Sequence, residues 1–206
     1  MNIAVSILKS KLDEKNTIEA INNTDAEFLH LDVMDGKFVE EITPKREYLQ
    51  NSLKPIQVHL MVSNPFNYIN KYAIKNAESI IFHVELDEDI DSLLSYIRNV
   101  GYKCGLAINP ETDVSKLWPY IEKLDYVLVL TVKPGRGGQK MLDEPLSKIQ
   151  TLIKLRTEKE LSFKIIVDGG VNDETVSKVK MADIIVSGSY ICSSDDYQEQ
   201  IDKLRL

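Results

Sequence analysis

The chain has 206 residues, 43% of them hydrophobic, 7 prolines, 9 glycines and a formal net charge of -7. That is enough apolar material for one well-buried core, and the acidic balance (pI near 5.1) excludes the basic stripe of a nucleic-acid-binding surface. No run approaches the roughly 20 apolar residues of a membrane span, and MNIAVSILKSKLDE lacks a signal-peptide layout, so a cytoplasmic protein of one domain, 1–206, is expected.

In chain order, short β-branched or apolar runs occur at 3–8, 28–33, 56–61, 79–84, 103–108, 126–131, 164–167 and 183–186. Between them lie polar stretches with helical spacing. In DSLLSYIRNV at 91–100, Leu93, Leu94, Ile97 and Val100 mark one face, and EPLSKIQTLIKLRTEKE at 144–160 is a second such stretch. Alternating strands and helices imply a parallel sheet with right-handed crossovers. Eight nearly continuous apolar strands in this length predict an α/β fold, a (β/α)8 TIM barrel. No GxGxxG follows the first run, which disfavours a dinucleotide-binding open sheet. Cys104 and Cys192 are far apart and outside any CxxC spacing, so neither a disulfide framework nor a thiolate zinc site is expected.

A barrel places its reactive groups at the C-terminal ends of its strands. All three histidines, His30, His59 and His83, fall in the strand-like runs. Asp32 lies in the second run and Asp168 directly follows the seventh. His30 and Asp32, two residues apart on a strand, share a face, and that face is the interior if Leu29, Leu31 and Val33 point at the helices. With His59 and Asp168 they form a set of two histidines and two carboxylates suited to one divalent ion, Zn²⁺, Fe²⁺, Mn²⁺ or Co²⁺. His83 has no acidic partner at matched spacing and is read as structural. Glycine-rich segments follow the last three runs: KPGRGGQ at 133–139, DGGVN at 168–172 and SGS at 187–189. Backbone N–H groups approach an anion closely in such loops, and the last βα loops of barrels commonly bind phosphate.

With those residues in view, the chain resembles the ribulose-phosphate 3-epimerase family over nearly its whole length. The segments that carry the likeness are VSIL at 5–8, HLDVMDGKFV at 30–39, VHLMV at 58–62, NPET at 109–112, VKPGRGGQK at 132–140, VDGG at 167–170 and SGSYI at 187–191. The resemblance implies a metal-dependent isomerase that converts D-ribulose 5-phosphate to D-xylulose 5-phosphate through an enediolate. Asp32 and Asp168 would exchange the proton, and His30, Asp32, His59 and Asp168 would hold the metal. It further implies that Ser6 and His59 contact substrate oxygens and that Met34 and Met61 line the site. Phosphate would be held by Gly135, Arg136, Gly137 and Gly138, by Gly169 and Gly170, and by Gly188 and Ser189. Related barrels are commonly homo-oligomers.

The chain departs from the family pattern at the barrel mouth. Lys37 stands where histidine is usual, Leu130 where a methionine is common, and Lys133 and Arg136 replace an asparagine and an aromatic residue. These changes spare the metal set but bear on the substrate. Arg136 and Lys133 are expected either to contact phosphate or to pair with Glu40 and Glu41. The alternatives are an epimerase for another ketose phosphate, such as allulose 6-phosphate, and a noncatalytic sugar-phosphate-binding barrel. A decarboxylase-like barrel is disfavoured because LDVMDGK lacks the central lysine of a DxKxxD pattern.

Overall fold

All eight apolar runs become strands of one closed parallel sheet in the order β1-β2-β3-β4-β5-β6-β7-β8. The computed structural model describes residues 1–205. The strands are β1 (Asn2–Ser6), β2 (Phe28–Met34), β3 (Ile56–Met61), β4 (Ala77–His83), β5 (Lys103–Ile108), β6 (Tyr126–Leu130), β7 (Lys164–Asp168) and β8 (Ile184–Ser187). Closure comes from β1 pairing with β8, where Ala4 lies opposite Val186.

Alternation along each strand divides the apolar residues into two cores, since successive side chains leave opposite faces. Ala4, Ile81, Ala107, Leu128, Ile166 and Ile184 pack with one another inside the barrel, and Tyr126 and Leu130 join them. Leu29, Leu31, Val33, Val58, Leu60 and Phe82 belong to the outer core under the helices. Each of these side chains is at most 2% exposed, and full burial of a residue of this kind stabilises by about 1.5–3 kcal/mol. His30 and Asp32, one position out of phase with Leu29 and Leu31, therefore point inward.

The helices are α1 (Glu14–Asn22), α2 (Phe66–Tyr72), α3 (Ile90–Asn99), α4 (Leu146–Glu158), α5 (Ser189–Cys192) and α6 (Tyr197–Arg205). Two start at aspartate caps: Asp13 accepts from the Asn16 N–H and Asp89 from the Ser92 N–H. The face expected for 91–100 is the one buried, through Leu93, Leu94 and Ile97, and the flanking Val100 caps the helix. The crossovers from β2, β5 and β7 carry only 3-10 turns, at Leu49–Asn51, at Val114–Leu117 and Ile121–Lys123, and at Val176–Val179. In the β5 crossover Pro110 and Pro119 remove backbone donors, which stops a continuous α-helix from forming there. No helix among the described residues is long and apolar enough to cross a membrane.

Candidate active site

Register brings the polar residues of β1, β2 and β3 close together. Asp32 pairs with His59 across β2 and β3, and two residues earlier on β2 His30 pairs with Ser6 of β1, so the four occupy neighbouring rungs below the C-terminal mouth. Asp168 ends β7 on the far side of the ring. One ligand atom from each of His30, Asp32, His59 and Asp168 lies within 4.8 Å of the others. His30 is fully buried, and among the described residues neither of its ring nitrogens has a hydrogen-bond partner. Its Nε2 instead stands 3.5 Å from Asp32 Oδ1 and 3.8 Å from Asp168 Oδ2. A buried imidazole left without a partner between two carboxylates is costly unless a cation completes the group, so these residues fit a divalent metal.

Asp32 has a close neighbour at each oxygen. Ser6 Oγ donates to Oδ2 at 2.7 Å, and His59 Nδ1 lies 3.1 Å from Oδ1. Burial raises the pKa of Asp32, but His30 and His59 outweigh it and hold the carboxyl well below the usual range. Asp168 has the opposite tendency: burial and the neighbouring Asp32 charge push it up to about 7. Burial works against charge on His30, yet Asp32 and Asp168 together raise it, whereas burial brings His59 down to about 4. Two carboxyls with divergent tendencies flank one cavity, the arrangement that separates an acid from a base.

That cavity is lined by Ser6, Asp32, His59, Met61, Leu130 and Asp168, together with the glycine loops after β6, β7 and β8. Gly135, Gly137, Gly138, Gly169, Gly170, Gly188, Arg136 and Ser189 all border it. The loops touch one another: a side chain at Gly138 would lie 4.0 Å from Ser189 Oγ, and one at Gly188 would lie 3.2 Å from Ser6 Cβ. Gly170 has φ of +67°, and a methyl there would overlap the Met141 backbone nitrogen. Only glycine leaves that loop in place.

His30 lies beneath the cavity rather than in its wall, and Met34, buried beside it, borders an adjacent cavity with Leu8, Lys9 and Gly135. Arg136 takes the second of its two expected roles. Nε donates to Glu41 Oε1 at 2.9 Å and Nη2 to Glu40 Oε2 at 3.1 Å, bridging the β6 and β2 loops across the mouth. The reading of His83 needs correction, because Glu85 is its acidic partner. His83 Nδ1 lies 3.0 Å from Glu85 Oε2, and its Nε2 lies 3.0 Å from His59 Nε2. The two-residue spacing of HVE at 83–85 was the available signal, the same as that of HLD at 30–32. Lys9 was also missed. It lines the cavity from the β1 loop, against Gly137.

The ribulose-phosphate 3 epimerase family model matches residues 2–192. The chain belongs to the ribulose-phosphate 3-epimerase family. Among its curated relatives, the ribulose-phosphate 3-epimerase of Aquifex aeolicus is 36% identical over 194 residues, covering 91% of this chain and 87% of the relative. That of Helicobacter pylori is 35% identical over 212 aligned positions, covering 100% of this chain and 97% of the relative. The family is one of isomerases, and this chain is an enzyme of that class. Solved structures extend the fold to distant barrels. The 3-hexulose-6-phosphate synthase of Salmonella typhimurium superposes with a TM-score of 0.69 at 16% identity, over 99% of this chain and 96% of that one. The N-(5'-phosphoribosyl)anthranilate isomerase of Pyrococcus furiosus superposes with 0.65 at 16%, over 100% and 97%. At such identities the likeness concerns the fold alone.

Proposed function

We propose that this epimerase inverts carbon 3 of a ketose phosphate, D-ribulose 5-phosphate to D-xylulose 5-phosphate, by proton transfer between Asp32 and Asp168. The observation that carries the reading is the convergence of these two carboxyls, from β2 and β7, on one buried cavity. Inversion beside a carbonyl needs a base on one face of the carbon and an acid on the other, which a single group cannot supply.

Asp32, held by the Ser6 hydroxyl and favouring the ionised form, takes the proton and leaves an enediolate. Asp168, reaching the cavity from β7, returns a proton to the opposite face. In the reverse direction the two exchange roles. His30, Asp32, His59 and Asp168 would hold one divalent ion, of Zn²⁺, Fe²⁺, Mn²⁺ or Co²⁺ type. When bound, such an ion stabilises the negative charge that builds on the ketone oxygen. Backbone N–H groups of Gly135 to Gly138, Gly169, Gly170, Gly188 and Ser189 hold the phosphate, so its binding energy orients the reacting carbon. Met61 and Leu130 close the apolar side of the cavity.

Exchange of solvent deuterium into D-ribulose 5-phosphate at carbon 3, followed together with xylulose 5-phosphate formation, tests this. Asp32→Asn and Asp168→Asn should each lower epimerisation at least about 10²-fold, the usual contribution of a positioned acid or base. A wild-type protein that binds the sugar phosphate without exchange refutes the reading, as does either variant at full rate. A parallel panel containing allulose 6-phosphate assigns the ketose.

A further inference from the structure

His83 stands outside the four proposed ligands, yet it is fully buried and both of its ring nitrogens are engaged. Its ring meets that of His59 edge to edge, centroids 5.1 Å apart and planes 28° apart, and Phe38 of the β2 loop packs on it at 4.6 Å. Glu85 is fixed in turn, because its Oε1 accepts the Asn109 backbone N–H at 2.8 Å. With His59 Nδ1 at 3.1 Å from Asp32 Oδ1, the side chains of Asp32, His59, His83 and Glu85 form one unbroken row.

The hydrogens in this row can be counted. Both end carboxylates accept only, and each neutral imidazole carries one N–H and one lone pair. The three contacts need one hydrogen each, and the two rings supply two. With both rings neutral, one contact therefore sets acceptor against acceptor unless a further proton or a metal ion fills it. At one end Phe38 packs on the His83 ring and the Asn109 N–H pins Glu85, whereas the cluster of ligand-type side chains among the described residues, with His30 and Asp168, stands at the Asp32 end. The cation belongs at the Asp32 end.

We propose that Glu85 and His83 are positioning residues that hold His59 as its Nε2–H tautomer and so present the Nδ1 lone pair to a divalent ion shared with Asp32. This inference rests on the metal reading above. Glu85 accepts from His83 Nδ1–H, and His83 Nε2 accepts from His59 Nε2–H, so each contact other than that at Asp32 has its hydrogen. A second partner of this kind sets ring orientation and basicity in metal-binding histidines.

Glu85→Gln inverts the order. The Asn109 N–H retains the amide oxygen, the amide N–H₂ faces His83 Nδ1, and the donors along the row reverse until His59 Nδ1–H points at the metal position. Zinc affinity of the full-length wild type and of Glu85→Gln is measured by competition with a chromophoric chelator, alongside melting of the metal-free proteins. Zinc binding should weaken about 10–100-fold in the variant, with melting little changed and with kcat and KM recovered at saturating zinc. Long-range ¹H–¹⁵N spectra of the zinc-loaded wild type should show His59 bearing its hydrogen at Nε2, a readout that needs no variant to fold. Equal zinc affinity in the variant, or His59 coordinating through Nε2, overturns the proposal and leaves the metal reading standing. A wild type that binds no zinc overturns both.

Discussion

Gly170→Ala tests how the glycine loops are built. The backbone at Gly170 has φ of +67°, where an L-residue costs about 1–2 kcal/mol. The added methyl would also overlap Met141 N and stand 2.9 Å from Gln139 O, both backbone atoms of the β6 loop. Forcing such a contact apart costs about 1–3 kcal/mol. The combined loss of about 2–5 kcal/mol corresponds to a fall in Tm of about 4–20 °C for a domain of this size. Gly101→Ala is the control: its φ is +92°, but nothing lies within 4 Å of the added carbon. It should lose only the conformational part, about 1–2 kcal/mol or 2–8 °C. Because the methyl at Gly170 displaces the loop bearing Gly135 to Gly138, that variant should also raise KM for the phosphorylated substrate about tenfold or more, with kcat at saturation less affected. Calorimetric melting and steady-state kinetics on both variants provide the check. Equal melting losses with an unaltered KM would refute the argument that these loops touch.

The Arg136 bridge to Glu40 and Glu41 is exposed, so Arg136→Ala should change kcat/KM by no more than about fivefold. The difference should vanish near 1 M salt, where the Debye length is about 3 Å, and an effect that persists there would rule out a salt-screened bridge. Burial pushes the thiols of both Cys104 and Cys192 up to about 11, leaving about one in a thousand ionised at pH 8. Neither should react with a disulfide reagent in the folded protein, and both should in denaturant; rapid labelling of the native chain would show that they are not sealed.

Most of the barrel was legible because each strand is a local property: a β-branched run between polar stretches needs no knowledge of its neighbours. That His30 and Asp32 share a face followed from the period of two, and that the face is the interior followed once Leu29, Leu31 and Val33 lay under the helices. What escaped depends on the stagger between strands. His59 and His83 lie on adjacent strands, and their Nε2 atoms meet only because of the register between β3 and β4, which no single run encodes. Glu85 was overlooked for a related reason, since it lies just beyond β4, where alternation no longer dictates direction. The choice of Arg136 between phosphate and Glu40 with Glu41 turned on two loop conformations, each outside regular structure. The 3-10 crossovers shifted no site residue, because the strands alone set the positions of the ligand-type side chains.

Seven of the eight strand pairings join neighbours in the chain, and the eighth joins Asn2–Val5 to Ile184–Ser187. Sequential pairings can form as a zipper, each closing a short loop, while the last must close nearly the whole polymer. That final closure costs only a logarithmic increment of entropy over a shorter loop. It is also the event that brings Gly188 against Ser6. An open intermediate of eight strands and seven pairings would hold Asp32 and Asp168 on one sheet yet leave Ser6 and Lys9 of the β1 end apart from the glycine loops. Inorganic phosphate should therefore slow unfolding through the seam without speeding collapse, which makes the ligand a clamp on the ring rather than a template for it.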